Sequence, residues 1–500
     1  MYKPDFDQFK DLLNKGNLVP VYKEILGDME TPLSILRKLD ADQKNTFLME
    51  SVEKNERIGR YSFIGNKPRC VVRVKSNEVI VDENGLSYSI NITGDPFIEL
   101  KKIMNQYNPV IIPELPIFCG GAIGYLGYGM VRFFENIPQK NFDDLCIDES
   151  YFMITDTLVI FDHVKNKIIV MSNAHVNDIN EAEQAYKKAI SDIDNIILKL
   201  SQKISFAPCE FIESSEQKSM ESNITKDEFE QSVIKAKEYI KAGDIFQVVL
   251  SQRFSSSTTA SPLNIYRALR SINPSPYMYY LNLDGFQVIG SSPEIMVRCI
   301  NKVAEIRPIA GTRQRGKDCS EDAELAKDLL ADPKEIAEHV MLLDLGRNDL
   351  GRVCEFNTVA VDNNECMIIE YYSHVMHIVS DVKGKLKDGA DIFDVVKASF
   401  PAGTVSGAPK IRAMQIIEEL EKLKRGPYAG AVGYFSFNGN LDTAITIRTI
   451  VLKDDKVYIQ AGAGIVADSN PESEYYETIN KGKGLFKAVA LAEKIEKEEI

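Results

Sequence analysis

Four glutamates are spaced for joint work. Glu335 and Glu338 stand in "KEIAEH", and Glu474 and Glu477 stand in "ESEYYETINK". On a helix, residues i and i+3 share a face, so each segment can aim two carboxylates at one point. Hard divalent cations take oxygen ligands, and magnesium is usually held by one or two protein carboxylates with waters and substrate oxygens. A solvated helix face has the same spacing, and Glu477 with Lys481 at i,i+4 would make an ordinary surface pair. Spacing alone leaves both readings open. Arg347 and Arg352 follow the first pair in "LGRNDLGRV".

Other chemistry-bearing features are less specific. The loops "PAGTVSGAPK" (401–410) and "AGAGIVADS" (461–469) are rich in small residues, and backbone N–H groups exposed in this way can bind anions. Neither fits the P-loop or the dinucleotide fingerprint, and turns between strands would look the same. The five histidines are His163, His175, His339, His374 and His377. "SHVMHIVS" puts His377 in a strand-like segment with His374 on the opposite face, a pattern that serves structure as readily as catalysis. No serine or cysteine stands in a G-x-S-x-G motif, which disfavours covalent acyl chemistry.

Both glutamate pairs need helices to carry them, and the sequence supplies the start signals. Asp332 with Pro333, and Asn470 with Pro471, each place an N-cap residue before a proline at the first helical position. The second of these helices is expected to run towards Ile495. Thr225 and Glu228 form a T-x-x-E capping box for a helix to about Ala242. A further helical pattern covers about 178–202.

Residues 60–92 alternate apolar with polar and contain an Asn84-Gly85 turn, so they read as short strands. "LVIFDHVKNKIIVMS" (158–172) reads as a hairpin, and "IFQVVLSQRF" (245–254), "QVIGSSPEIMVRC" and "KVAEIRPIAG" read as strands. The polar, aperiodic stretch 201–224 is a linker between a region 1–200 and a region 225–500. Strands far outnumber βαβ units, so the fold class is α+β, largely antiparallel, with helices outside.

Composition narrows the partners. The 500 residues include 44% hydrophobic and 26% charged residues, ordinary for a globular protein. The formal net charge of −14 disfavours nucleic acid and anionic membrane surfaces. No apolar run approaches the ~18 residues of a membrane span. "MYKPDFDQFKDLLNKGN" has no signal-peptide core, so a cytoplasmic location is expected. The eight cysteines (Cys70, Cys119, Cys146, Cys209, Cys299, Cys319, Cys354 and Cys366) form no CxxC pair; neither a zinc site nor a redox motif is indicated.

Taken in order, "IFQVVLSQ", "GSSPE", "PIAGTRQRG", "EHVMLLDLGRNDLGRV", "HVMHIVS", "FPAGTVSGAPK", "RGPYAG", "AITIRT", "GAGIVADS" and "PESEYYETINK" resemble the chorismate-utilising enzymes over about 225–490. The segment "LMESVEKNERIGRYSFIG" (48–65) is similar to the large components (component I) of anthranilate synthases. The resemblance implies two large, mostly antiparallel β-sheets packed as a sandwich with helices on the outside. It also implies that Glu338 and Glu477 ligate Mg2+, with Glu335 and Glu474 beside them. Tyr428 and Arg448 would grip the enolpyruvyl carboxylate of chorismate, Gly462 and Gly464 would offer backbone contacts, and Lys481 would add positive charge. Gln247, Ala310, Gly311 and Thr312 complete the substrate set. Glu294, His377 and Thr404 are the implied catalytic residues: Glu294 as acid for the C4 hydroxyl, His377 as base for the C2 proton, and Thr404 at the ring pocket.

Family members that make isochorismate or salicylate carry a lysine where Gln247 stands, and aminodeoxychorismate synthases carry one where Ala310 stands. The absence of both lysines points to ammonia as the direct nucleophile and to anthranilate as product. No glutaminase motif is present in the chain, so a glutamine amidotransferase subunit is the implied partner. Glu50 and Ser51, with Pro276, Tyr277 and Met278 in "NPSPYM", match the two halves of the family's tryptophan inhibitor site, although "NPSP" would form a tight turn anyway. Met49 replaces the usual leucine, a volume-conserving change. Two alternatives remain: an aminodeoxychorismate or aminodeoxyisochorismate synthase, and a non-catalytic tryptophan-binding protein on the same scaffold.

Overall fold

The computed structural model describes residues 1–51, 59–83, 85–204, 218–362, 365–372 and 375–499. Asn84 of the expected turn, most of the 201–224 linker with Cys209, and His374 lie outside the described residues.

Among the described residues two large sheets dominate, one of 12 strands and one of 11, with a separate three-stranded sheet. Every ladder between neighbouring strands is antiparallel. The short strands expected over 60–92 form at Tyr61–Gly65, Cys70–Lys75, Glu78–Glu83 and Leu86–Asn91. The hairpin expected at 158–172 is Thr157–Asp162 paired with Lys167–His175.

Three apolar layers explain the stacking. Between the sheets lie Ile123, Tyr125, Tyr151 and Met153 from one and Leu158, Ile160, Leu281 and Val288 from the other. On the far face of the 12-stranded sheet, Val159, Tyr280 and Ile289 pack with Ile193, Leu269 and Val489 of covering helices. On the far face of the 11-stranded sheet, Val72, Phe152 and Val297 meet Leu100, Val396 and Ile416. Alternate residues of each strand thus face sheet and helix, and burying both faces of each sheet is the large favourable term in folding. The result is the expected helix-flanked sandwich.

In both sheets the strands of the two sequence regions form two contiguous blocks that meet at one ladder. In the 12-stranded sheet, Thr46–Glu50 pairs with Tyr277–Asn282; in the other, Gly121–Leu126 pairs with Ala431–Ser436. The 201–224 stretch therefore divides the sequence, whereas the hydrogen bonding crosses it.

The helix starts follow their capping residues. The Asp332 carboxylate accepts from the N–H groups of Lys334 (2.9 Å) and Glu335 (3.4 Å), and Pro333 opens the Pro333–Gly351 helix. The Asn470 amide oxygen accepts from the Ser473 N–H at 3.0 Å ahead of Pro471–Glu499. Thr225 and Glu228 form the reciprocal box of Lys226–Ala242. The strand expected at 245–254 runs instead from Gln247 to Ser257, because it is zipped to Lys456–Ile465 along its whole length.

Candidate active site

One cleft gathers residues from many separate elements. Its floor is the Gln247–Ser257 strand against Lys456–Ile465, in which Val249 lies opposite Gly464 and Ser251 opposite Gly462. Gly462 leaves no room for a side chain, whereas Gly464 faces the movable end of the Gln247 side chain. A Cβ on Gly462 would stand 2.6 Å from Tyr428 Oη, and one on Gly464 would stand 2.8 Å from Gln247 Nε2.

Glu294 follows the Gln287–Ser292 strand and is enclosed by protein, with a partial opening onto the cleft. Burial pushes its carboxyl up to about 7, against the opposing pull of Thr404, Lys481 and Arg448. Thr404 Oγ1 is buried with no partner at full hydrogen-bond geometry, yet it faces Glu294 closely enough to favour the ionised form. Glu294 is thus poised to give up a proton near neutral pH.

Arg448 sits in the left-handed backbone region, with φ 48°, which is costly for a residue with a Cβ. The fold holds it there through the Arg448 carbonyl, which accepts from the Ser291 N–H at 3.1 Å. Among the described residues no group hydrogen-bonds or ion-pairs with its guanidinium, which protein surrounds but solvent reaches along the cleft. Burial lowers its pKa, and Glu294 is the charge that opposes this. An unpaired guanidinium in a cleft is a site for a carboxylate.

His377 comes from the three-stranded sheet, where it lies opposite Thr312. The register slips between Ala310 and Thr312, and Gly311 takes φ +70° there, a bulge that re-aims the backbone. The Gly311 carbonyl consequently lies 2.9 Å from His377 Nδ1. A carbonyl can only accept, so Nδ1 carries the hydrogen and Nε2 keeps its lone pair in the neutral ring. Burial lowers the imidazole pKa, and the Arg448 charge pushes the same way against the Gly311 bond. The His377 imidazole is therefore held neutral near pH 7. Ala310 is buried in the neighbouring strand Ile309–Gln314, and Thr312 Oγ1 of that strand lies 3.1 Å from His377 Nδ1.

The four glutamates approach from two helices. Burial raises the Glu338 pKa first, then the charges of Glu335 and Glu477; burial likewise raises Glu474, with Glu477 adding to it. The carboxylates thus feel one another across the cleft. Two already have cationic partners: Arg313 Nη1 lies 3.2 Å from Glu335, and Lys481 Nζ lies 2.8 Å from Glu477. The i,i+4 pair expected from spacing is therefore present beside the acidic cluster. Among the described residues, no three acidic, histidine or cysteine side chains converge into a formed metal cage. The donor set nevertheless fits a hard cation. It is all oxygen, and beside Glu338 the buried Gln247 Oε1 has no partner while its Nε2 donates to Glu338 Oε1 at 3.4 Å.

Arg347 and Arg352 do not join the cleft. They pair with Asp344 and Glu135.

The second cluster lies where Glu50 is paired opposite Met278, so the "LMES" and "NPSPYM" segments meet through strand pairing. The Glu50 carboxylate is buried and already held by Arg270 Nε and Tyr266 Oη, both at 2.7 Å. Ser51 Oγ is buried without a partner, and Pro276, which precedes Tyr277, is also buried. Tyr277 Oη donates to Asp442 at 2.9 Å and accepts from Arg298 at 3.0 Å. The sequence reading missed Arg270 and Tyr266; the apolar spacing of "PLNIYRALRSI" marks their helix, but nothing local links it to Glu50.

A family model described as chorismate binding enzyme matches residues 44–487. The chain belongs to the family of chorismate-binding enzymes. It is similar to anthranilate synthase component 1 of Acetivibrio thermocellus, with 50% identity over 499 residues, 99% of this chain and 100% of that one. The component 1 of Aquifex aeolicus is 48% identical, over 98% of this chain and 99% of its own length. The crystal structure of anthranilate synthase component I from Streptococcus pneumoniae superposes with a TM-score of 0.74 at 39% identity, covering 92% of this chain and 99% of the other. Among the described residues, no helix is long and apolar enough to cross a membrane.

Proposed function

We propose that this chain converts chorismate and ammonia to anthranilate, pyruvate and water, with ammonia delivered by a glutamine amidotransferase subunit. The observation that carries the reading is the juxtaposition of Glu294, pushed up to about 7, with the unpaired guanidinium of Arg448. The names of the full-length relatives support the same activity.

Arg448 and Tyr428 Oη bind the enolpyruvyl carboxylate, and the strand glycines let the substrate lie against the backbone. The ring carboxylate points towards Glu338 and Glu477, which with Glu335 and Glu474 would hold Mg2+. When bound, the ion supplies positive charge to the substrate's acid group and to charge developing on the ring. Ammonia forms a bond to C2 while the C4–O bond breaks, and Glu294 protonates the departing hydroxyl to water. His377 Nε2 then removes the C2 proton, that electron pair completes the aromatic ring as the C3–O bond breaks, and the departing enolate takes up a proton at its methylene carbon to become pyruvate.

We further propose tryptophan as a feedback inhibitor. Ser51 Oγ, buried and unpartnered, offers an acceptor to the amino group, and Met278 with Pro276 offers apolar surface. Glu50 would serve from its place between Arg270 and Tyr266.

The test is incubation of the purified chain with chorismate, ammonium and magnesium. Fluorescent anthranilate and an equal amount of pyruvate are expected. An amino product that retains the enolpyruvyl group would establish the aminodeoxychorismate or aminodeoxyisochorismate alternative instead, and no turnover would leave only the binding protein.

A further inference from the structure

Arg425 has no part of its own in the proposed reaction, yet it is 3% exposed and fully engaged. Its Nε donates to Glu421 Oε2 at 2.8 Å, and its Nη2 donates to Glu421 Oε1 at 2.6 Å. Its remaining bonds go to backbone: Nη1 to the Val405 carbonyl at 2.8 Å and Nη2 to the Val249 carbonyl at 2.7 Å. Its guanidinium carbon also lies 5.5 Å from the centre of the Tyr428 ring and 4.8 Å from that of Tyr128.

These contacts reach three different walls of the cleft. Val405 follows Thr404 in the 3-10 turn Gly403–Val405. Val249 is two residues beyond Gln247 in the floor strand, and Tyr428 is three residues beyond Arg425 itself. Glu421 adds a fourth tie, because its Oε1 accepts from Ser251 N–H at 2.9 Å and from Ser251 Oγ at 2.8 Å. Ser251 is the partner of Gly462 in the ladder.

We propose that Arg425 is a positioning residue: one buried guanidinium that fixes Thr404, Gln247 and Tyr428 relative to one another through Val405, Val249 and the Tyr428 ring. The inference rests on the reading of the cleft as a chorismate site. Only a planar fork reaches two backbone carbonyls and a bidentate carboxylate at once while lying against an aromatic ring. A lysine ammonium keeps the charge and loses the span.

The test compares Arg425→Lys and Glu421→Gln with the wild type. Chorismate affinity is measured by calorimetry in magnesium, and kcat and KM are measured with ammonium, each per folded molecule. Arg425→Lys is expected to lower kcat/KM about 100-fold, the scale of an ångström-sized misplacement. Glu421→Gln leaves the carbonyl bonds in place and is expected to cost roughly tenfold, the worth of one weakened charge-assisted bond. Both variants should weaken chorismate binding and lower kcat, and the loss from Arg425→Lys should shrink severalfold in a Tyr428→Phe background, because the two residues act through one contact. A lowered melting temperature with unchanged constants, or losses that multiply independently of Tyr428→Phe, would show a merely structural arginine and overturn the proposal. If Arg425→Lys does not fold, Glu421→Gln is judged by the same criteria. Failure of the wild type to make anthranilate would overturn the proposed reaction instead, and the calorimetric arm would still judge Arg425.

Discussion

Tyr428 Oη stands 2.6 Å from the point where a Cβ on Gly462 would be, and Leu250 O stands 2.9 Å from the same point. The two strands and the Tyr428 loop therefore close on a glycine-sized gap. On the other side of that glycine, Lys481 Nζ donates to the Gly462 carbonyl at 3.0 Å. Gly462→Ala should push Tyr428 off the substrate carboxylate, since the backbone carbonyl cannot yield. Overpacking of this kind costs about 1–3 kcal/mol. We expect a raised KM for chorismate with a smaller change in kcat, measured by steady-state kinetics.

In the proposed reaction His377 and Glu294 have opposite protonation requirements. The base must be neutral, and burial holds the His377 pKa below its ordinary 6.5. The acid must be protonated, and Glu294 titrates at about 7. The kcat profile should therefore be a bell, with an acid limb below pH 6.5 from His377 and an alkaline limb near pH 7 from Glu294. Glu294→Gln should lower kcat about 10²–10⁴-fold, as loss of a general acid does, and should remove the alkaline limb. His377→Gln should erase the acid limb and let the amino intermediate accumulate, visible by chromatography.

The same carboxyl makes a stability prediction. Its folded pKa of about 7 lies above the ordinary 4.5, so between those values the folded chain holds the proton that the unfolded chain releases. Stability from this group is present below pH 4.5 and is lost as pH rises through about 7. Glu294→Gln should flatten the fall in melting temperature between pH 5 and pH 8 relative to the wild type.

Magnesium should raise the melting temperature of the free protein, because it relieves the mutual repulsion of carboxylates on two helices. Glu338→Gln should abolish that rise while leaving the magnesium-free protein folded. An unchanged magnesium response in the variant would move the ion elsewhere.

Ser51→Phe should fill the space around the unpartnered Ser51 Oγ and relieve inhibition by tryptophan, with turnover retained. Inhibition of equal strength in the variant would remove Ser51 from the inhibitor site.

The local elements were legible because their signals are local. Asp332-Pro333, Asn470-Pro471 and the Thr225/Glu228 box each name a helix start within four residues, and all three hold. The Glu477–Lys481 pair was visible in the same way. The seam between the two sequence regions was not, since pairing of Glu50 with Met278 spans more than two hundred residues and apolar-polar alternation says nothing about which strand is the neighbour. The resemblance supplied the site residues, and geometry supplies what motifs cannot. The bulge at Gly311 sets the tautomer of His377, Arg270 and Tyr266 occupy Glu50, and Arg313 and Lys481 have hold of two of the four glutamates.

The most direct test is a crystal structure of the chain with magnesium and chorismate or an unreactive chorismate-like dianion. The account predicts the side-chain carboxylate between Arg448 and Tyr428, the ring carboxylate beside an ion held by Glu338 and Glu477, and the C4 oxygen within reach of Glu294. A dianion bound in the reverse orientation, or an ion bound away from these glutamates, would contradict it.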